Sequence, residues 1–114
     1  HSKVEKVIFP FHPSFPQYEL AKKQMKNAGG LFSFVLKEKS IAAIETFCNS
    51  LKHFFLAVSW GGHESLVIPA VVGIKKEDFD PENFGHRVIR LYVGLEEPDY
   101  LMADLTQALN SIGR

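Results

Sequence analysis

Apolar residues recur along the chain in patterns that predict several short strands. Residues 3–9 form a strand that ends at a proline, which cannot donate a backbone hydrogen bond to a neighbouring strand. Residues 31–36 are apolar on both alternating faces, which is typical of a central strand buried on both sides. Two further apolar runs, residues 54–58 and 65–72, flank the glycine-containing segment 59–62 and predict two strands around a turn.

Residues 86–94 show the clearest alternation in the sequence. One face carries Arg87, Ile89, Leu91 and Val93, and the other carries His86, Val88, Arg90 and Tyr92. The alternation predicts another strand, which follows a polar surface loop over residues 75–85.

Three segments have the spacing of helices. Pro16 suits the first turn of a helix that continues to Met25 and ends before two glycines. Ser40 is a candidate N-cap of a second helix, and Pro98 opens a third. Their apolar faces contain Ile41, Ile44, Phe47, Cys48 and Leu51, and Leu101, Leu105, Ala108, Leu109 and Ile112, respectively. Without a repeating strand-helix-strand rhythm, this order of elements predicts an α+β fold, with a mostly antiparallel sheet and helices on one face.

Length and charge narrow the class of protein. The 114 residues correspond to one domain, and the 13 basic and 13 acidic residues give a formal net charge of zero. This balance argues against nucleic acid or an anionic membrane as a partner. The single cysteine, Cys48, forms no intramolecular disulfide, and this cysteine usage favours a reducing, intracellular compartment. No membrane span or signal peptide is predicted, and the opening His1 and Ser2 do not resemble a start, so we expect a fragment.

Arg90 is the most informative single residue because it lies between Ile89 and Leu91 in an apolar strand. A guanidinium in such a place needs a bidentate anionic partner. One interpretation is an internal ion pair with Glu64, Glu96 or Glu97. The other is the carboxylate of a ligand.

The segment that contains Ser59, Trp60, Gly61 and Gly62 is the second candidate. Two glycines let the backbone approach a ligand, and exposed N–H groups can bind an anion. A plain tight turn is the simpler interpretation. The specific catalytic and nucleotide-binding motifs are absent, and the scattered histidines do not suggest a metal site. We therefore predict no metal-ligating residue in this chain.

Six stretches together resemble one family, the C-terminal domain of the trans-sulfuration enzymes, which use pyridoxal phosphate (PLP) in cysteine and methionine metabolism. The stretches are residues 10–25, 29–34, 50–52, 59–66, 89–96 and 101–105, in the order in which the family has them. The family includes cystathionine β-lyase, cystathionine γ-lyase and methionine γ-lyase. Each motif is weak alone, whereas six in register nearly fill the chain.

The resemblance implies a role for three residues of the chain. Arg90 matches the family arginine that binds the substrate α-carboxylate, Ser59 lies beside the cofactor lysine and the substrate, and the backbone N–H of Trp60 helps to hold the carboxylate. The cofactor lysine and phosphate cup belong to a preceding large domain in the family, and no lysine here has the family's Ser-x-x-Lys or Ser-x-Thr-Lys setting. The resemblance therefore implies no catalytic and no cofactor-binding residue in this chain. The resemblance also implies a homotetrameric, cytoplasmic parent enzyme.

Val58 departs from one branch of the family. Members that process cystathionine at the γ-carbon commonly carry Glu immediately before the serine, where it recognises the distal amino group. The SWGG sequence that starts at Ser59 is most similar to the β-lyase version, and an apolar residue at position 58 also occurs in enzymes like methionine γ-lyase. The exact sulfur amino acid stays open.

Three hypotheses follow from these observations. In the first, residues 1–114 are the small C-terminal domain of a PLP-dependent carbon–sulfur lyase, inactive without its large domain. In the second, the chain is a free-standing α+β module that binds a small anionic metabolite through Arg90. In the third, it is a structural interaction domain in which Arg90 makes an internal salt bridge.

Overall fold

The fold is built on one five-stranded sheet. A computed structural model describes residues 1–113. The strands are β1 (Val4–Ile8), β2 (Leu31–Leu36), β3 (Phe55–Leu56), β4 (Leu66–Pro69) and β5 (Val88–Tyr92), in the spatial order β1-β2-β5-β4-β3. The pairings β1/β2, β2/β5 and β4/β5 are antiparallel, whereas β3/β4 is parallel. The prediction of an α+β fold with a mostly antiparallel sheet is confirmed, although the sheet is mixed.

Two of the four α-helices in residues 1–113 cover one face of the sheet. The helices are α1 (Tyr18–Gln24), α2 (Ile41–Ser50), α3 (Phe84–Arg87) and α4 (Pro98–Asn110). Ser40 caps α2 as predicted, because its hydroxyl accepts a hydrogen bond from the N–H of Ala43 at 3.1 Å. The core contains Ile44 and Phe47 from α2, Leu101, Ala108 and Leu109 from α4, and Phe34, Leu36, Val67, Ile89 and Leu91 from the sheet. This burial stabilises the sheet from one side.

The strands around the site are shorter than predicted. The run 54–58 contributes only Phe55–Leu56, and the run 65–72 becomes a 3-10 turn after Pro69, where the chain lacks a donor to continue the ladder. The polar loop before β5 ends in α3, which starts after Asn83, whose side chain accepts a hydrogen bond from the N–H of Gly85. β5 therefore begins at Val88, two residues later than predicted.

The parallel pairing of β3 and β4 corrects the prediction of a plain turn between them. Antiparallel strands can be joined by a tight turn, but parallel strands cannot, because the chain must return to the starting end of the sheet. Residues 57–65 make this return, and we call them the crossing loop. Its glycines lie in a connection that passes beside β5, and Gly61 uses a positive φ of 93° that disfavours other residues.

Candidate functional site

The crossing loop lies against the sheet face opposite the core. Alternation puts Ile89 and Leu91 in the core, so Arg90 and Tyr92 extend to the other side of β5. There, Nη2 of Arg90 donates to the carbonyls of Val58 and, at 3.4 Å, Ser59. The structure thus brings Arg90 together with the glycine-containing segment, although they are about 30 residues apart in the sequence.

Arg90 has no carboxylate partner within residues 1–113, so this part of the chain does not support the interpretation of Arg90 as a member of an internal ion pair. Glu96 accepts hydrogen bonds from Ser65, and Glu64 lies 3.5 Å from His63 in an exposed pair. Glu97 precedes α4 without capping it through its side chain. In the described residues Nε and Nη1 of Arg90 have no acceptor, so the half-buried guanidinium keeps donors free for an anion.

The buried arginine is Arg87, three residues earlier. Its side chain is only 3% exposed, and Nη1 donates to Oε2 of Glu5 at 2.8 Å and to the carbonyl of Leu36 at 2.7 Å. Sequence reasoning did not assign this structural role, although Arg87 has the same alternation phase as Ile89 and Leu91. That phase was the available signal, because it places an arginine on the buried side.

Val58, Ser59 and Trp60 are exposed on the crossing loop. Val58 and Trp60 retain 72% and 61% of their surface, which is unusual for large apolar side chains. Within the described residues, the backbone N–H groups of Ser59 and Trp60 donate to no acceptor. The loop therefore offers two free backbone donors and a guanidinium on one side of the sheet. This arrangement suits a carboxylate, although the roles of these residues stay predictions.

Further contacts join the crossing loop to β5 and the residues after it. The hydroxyl of Tyr92 donates to the carbonyl of Gly62 at 3.0 Å, and the N–H of Leu95 donates to the carbonyl of His63 at 2.9 Å. Ser65, at the end of the loop, bonds Glu96 through both its N–H and its hydroxyl. Sequence reasoning missed these contacts because they depend on the register of β4 and β5.

The other polar candidates do not form a site. Cys48 packs against the core, and burial raises the pKa of its thiol to about 11, which makes it a poor nucleophile. No cluster of three or more His, Cys, Asp or Glu residues suited to a metal ion occurs among residues 1–113. In the same part of the chain, no helix has the length and hydropathy needed to span a membrane.

Comparison with known proteins identifies the family. The model of the Cys/Met metabolism PLP-dependent enzymes matches residues 1–110. The chain belongs to this family. It is 47% identical to a cystathionine γ-lyase of Sus scrofa over 97% of its length and 40% identical to an L-methionine γ-lyase of Treponema denticola over 98%. The resemblance deduced from the six sequence stretches is confirmed.

A solved structure of the family has the same fold. Cystathionine γ-synthase from Xanthomonas oryzae pv. oryzae, determined in complex with cystathionine, superposes with a TM-score of 0.82 at 31% identity over 97% of this chain. The chain spans 30% of that protein and 28% and 29% of the Sus scrofa and Treponema denticola enzymes. The activities of those enzymes therefore belong to proteins that are more than three times as long as this chain.

The residues around the crossing loop suit a carboxylate better than they suit the aldehyde of PLP. A shallow cleft there is lined by Ser59, Trp60, Gly62, His63, Glu64 and Leu66. PLP reacts through a lysine amine, and this lining contains no lysine. The free donors of Arg90 and the loop are instead suited to a carboxylate.

Proposed function

We propose that this chain is the substrate-binding small domain of a PLP-dependent carbon–sulfur lyase of sulfur amino-acid metabolism. The observation that carries the proposal is Arg90, a half-buried guanidinium without a carboxylate partner in residues 1–113, next to the free N–H groups of Ser59 and Trp60. An arginine kept in this state is suited to a ligand anion. Every amino-acid substrate of the family brings an α-carboxylate.

The proposed role of the site is to bind and orient that carboxylate. The guanidinium of Arg90 donates two hydrogen bonds to it, at least one of them from Nε or Nη1, and the backbone N–H of Trp60 adds a third donor. Nη2 is already directed by the carbonyls of Val58 and Ser59, so little side-chain freedom is lost on binding. PLP, when bound, supplies the electron sink that carbon–sulfur bond cleavage requires. Fixing the carboxylate sets which bond of the substrate faces the cofactor.

The rest of the proposed active site lies in a large domain outside the described chain. We propose that residues 1–114 form the C-terminal domain, and that the lysine and phosphate-binding groups come from the large domain of the same enzyme, a cytoplasmic homotetramer. The exposed apolar side chains of Phe55, Leu56, Val58 and Trp60 support this, because such a concentration typically marks a surface that another part of a protein covers.

The proposed substrate preference is that of a cystathionine β-lyase. Val58 places an isopropyl group, not a carboxylate, beside Ser59, so it offers no ionic partner for the distal ammonium of cystathionine. The absence of a carboxylate at position 58 supports an enzyme that cleaves its sulfur amino acid without recognising that ammonium through this position. The matches to γ-lyases establish the family, and the bond that this enzyme cleaves is part of the proposal.

The proposal is tested by comparing the isolated chain with the enzyme encoded by the intact reading frame. We expect the full-length enzyme to bind PLP and to release thiol, ammonia and a keto acid from a sulfur amino acid. The isolated 114-residue chain should fold but bind no stoichiometric PLP and release no product. Turnover by the isolated chain, or a full-length protein inert toward a panel of sulfur amino acids, would contradict it.

The same experiment addresses the alternative of a free-standing module that binds an anionic metabolite through Arg90. That alternative predicts a reading frame that starts near Ser2 and measurable binding of small carboxylates by the isolated chain. Calorimetric titration with methionine and cystathionine, with Arg90→Met as the control, distinguishes the two.

A further inference from the structure

The crossing loop depends on its contacts with other segments for its conformation. Residues 58–64 are all exposed, so little apolar packing holds them. Within the described chain, the N–H groups of residues 58–62 donate to no backbone acceptor, and two of these residues are glycines. A loop of this kind samples many conformations unless contacts at its ends restrict it. The proposed carboxylate donors lie in this loop.

The start of the loop is held by the sheet. The N–H of Ala57 donates to the carbonyl of Val67 at 3.1 Å, which extends the parallel pairing of β3 with β4. Beyond Ala57, the next backbone bond from the sheet is at Ser65, whose carbonyl accepts from the N–H of Phe55 at 3.1 Å. This bond uses only the carbonyl of Ser65, so its N–H and hydroxyl are available for a second anchor at the end of the loop.

Ser65 and Glu96 form that anchor. Ser65 is fully buried, and its N–H and hydroxyl donate to the two carboxylate oxygens of Glu96 at 2.9 and 2.6 Å. The same hydroxyl oxygen accepts from the N–H of Gly94 at 2.9 Å. The Ser65 hydroxyl thus both donates and accepts, and the two bonds from Ser65 to Glu96 have a charged acceptor, which makes them stronger than neutral ones.

Gly94 brings the two segments into close contact. A Cβ atom at Gly94 would lie 2.3 Å from the carbonyl oxygen of His63 and 2.7 Å from the carbonyl carbon of Glu64. The neighbouring N–H of Leu95 donates to the same His63 carbonyl at 2.9 Å. Any other residue at position 94 would push the loop away from β5.

Tyr92 adds a weaker contact in the middle of the loop. Its hydroxyl donates to the carbonyl of Gly62 at 3.0 Å in an exposed position. Arg90 donates to the carbonyls of Val58 and Ser59 earlier in the loop. Arg90 and Tyr92, two alternate residues of β5, therefore bond the loop at successive positions. The loop and the guanidinium therefore position each other.

We infer that Ser65 and Glu96 are positioning residues of the substrate-carboxylate site, because they fix the end of the crossing loop and thereby hold the Ser59 and Trp60 donors beside Arg90. Neither side chain contacts the substrate in this proposal. It rests on the proposed function, which assigns that carboxylate to Arg90.

The structural half of the inference is tested by amide hydrogen exchange in the 114-residue chain. In Glu96→Ala we expect exchange at Leu95 to accelerate by about tenfold, because lifting the loop releases its bond to His63. Leu95 is informative since its own bond does not involve the mutated side chain. Glu97→Ala is the matched control, because it removes a neighbouring exposed carboxylate with no side-chain capping bond. In this variant, exchange at Leu95 should change by less than about twofold.

The functional half is tested in the full-length enzyme. Glu96→Ala should raise KM for the sulfur amino acid by about tenfold and lower kcat by a smaller factor, because the displaced loop binds the carboxylate less tightly and orients it less well. Combining it with Arg90→Lys should add less than about twofold to the loss caused by Arg90→Lys alone, since both changes disable one site. A structural role unrelated to the carboxylate predicts losses that multiply.

Milder variants keep the inference testable if Glu96→Ala does not fold. Glu96→Gln keeps one acceptor for Ser65 and should give an intermediate KM, and Tyr92→Phe should raise KM by about threefold. Unchanged exchange at Leu95 in an active enzyme would overturn the anchor and leave the proposed function standing. Faster exchange in a protein that is inert toward sulfur amino acids would support the anchor and overturn the carboxylate assignment.

Discussion

Arg87 and Arg90 lie three residues apart, yet the structure uses them differently. Arg87 is buried, bonded to the Glu5 carboxylate and the Leu36 carbonyl. Arg90 is half-buried, directed by two loop carbonyls, and without a carboxylate within residues 1–113. Both are permanently charged, so the difference lies in the partners. An arginine whose ionic partner is in the domain serves the fold, and one whose partner is absent is available to a ligand.

The largest effect that separates the two arginines should be on stability. Replacing Arg87 with Met keeps the apolar stem but leaves the Leu36 carbonyl without its donor, so we expect the unfolding free energy to fall by about 3 kcal/mol. Arg90→Met should lower it by less than about 1 kcal/mol, since its partners are exposed. Urea unfolding of the isolated chain measures both. Equal losses would remove the distinction.

The second effect concerns activity, for which Arg90 and not Arg87 should be the important arginine. In the full-length enzyme, Arg90→Lys keeps the charge and loses the two-pronged geometry, so kcat/KM should fall by an amount corresponding to about 2–3 kcal/mol. Thermal unfolding should change little. If Arg90→Lys left kcat/KM intact or unfolded the domain, Arg90 would belong with Arg87 as a structural residue.

The contrast also shows how far sequence reasoning reaches. Strand alternation placed Arg87 in phase with Ile89 and Leu91, and Arg90 in the opposite phase. The burial of the first and the location of the second on the other face were therefore predictable, although Arg87 ends α3 and only Arg90 lies in β5. The partners were not. Glu5 lies 82 residues from Arg87, and only the pairing of β1 with β2 and of β2 with β5 brings them together.

The crossing loop shows a second reason why part of the structure was not predictable from the sequence. Its glycines were visible in the sequence, and its proximity to Arg90 followed from the family resemblance. The parallel pairing of β3 with β4 did not follow, since two short apolar runs fit an antiparallel hairpin equally well. Glu96 was considered as a partner of Arg90, whereas the register of β4 and β5 assigns it to Ser65.

A smaller effect concerns substrate preference and tests the proposed ligand-binding role of Arg90 through its neighbour Val58. Val58→Glu in the full-length enzyme places a carboxylate beside Ser59, where it can pair with the distal ammonium of cystathionine. We expect relative kcat/KM to shift toward cystathionine, against methionine or an S-alkylcysteine, by about tenfold if the pair contributes about 1.4 kcal/mol.

Val58→Gln is the matched control, because it has similar size without the charge, and it should shift the preference by less than about twofold. The introduced carboxylate also lies near Arg90 and can compete with the substrate, so kcat/KM for both substrates should fall while their ratio changes. No shift in the ratio, or a shift away from cystathionine, would mean that residues of the large domain determine the substrate.

The smallest effect concerns acid and separates the arginines through their partners. The hydrogen bond from Arg87 lowers the pKa of the Glu5 carboxyl below its ordinary value of 4.5. A carboxyl with a lowered folded-state pKa stabilises the fold above its unfolded-state pKa, and this contribution is lost as the pH falls through the folded-state pKa. The Glu5 side chain is 42% exposed, so solvent screening limits the contribution to less than about 1 kcal/mol. Urea unfolding between pH 6 and pH 3 should therefore show a difference between wild type and Glu5→Gln that shrinks toward pH 3. Arg87→Met should abolish this pH-dependent difference, and Arg90→Met should preserve it. The reverse pattern would show that Arg90, and not Arg87, lowers the pKa of Glu5.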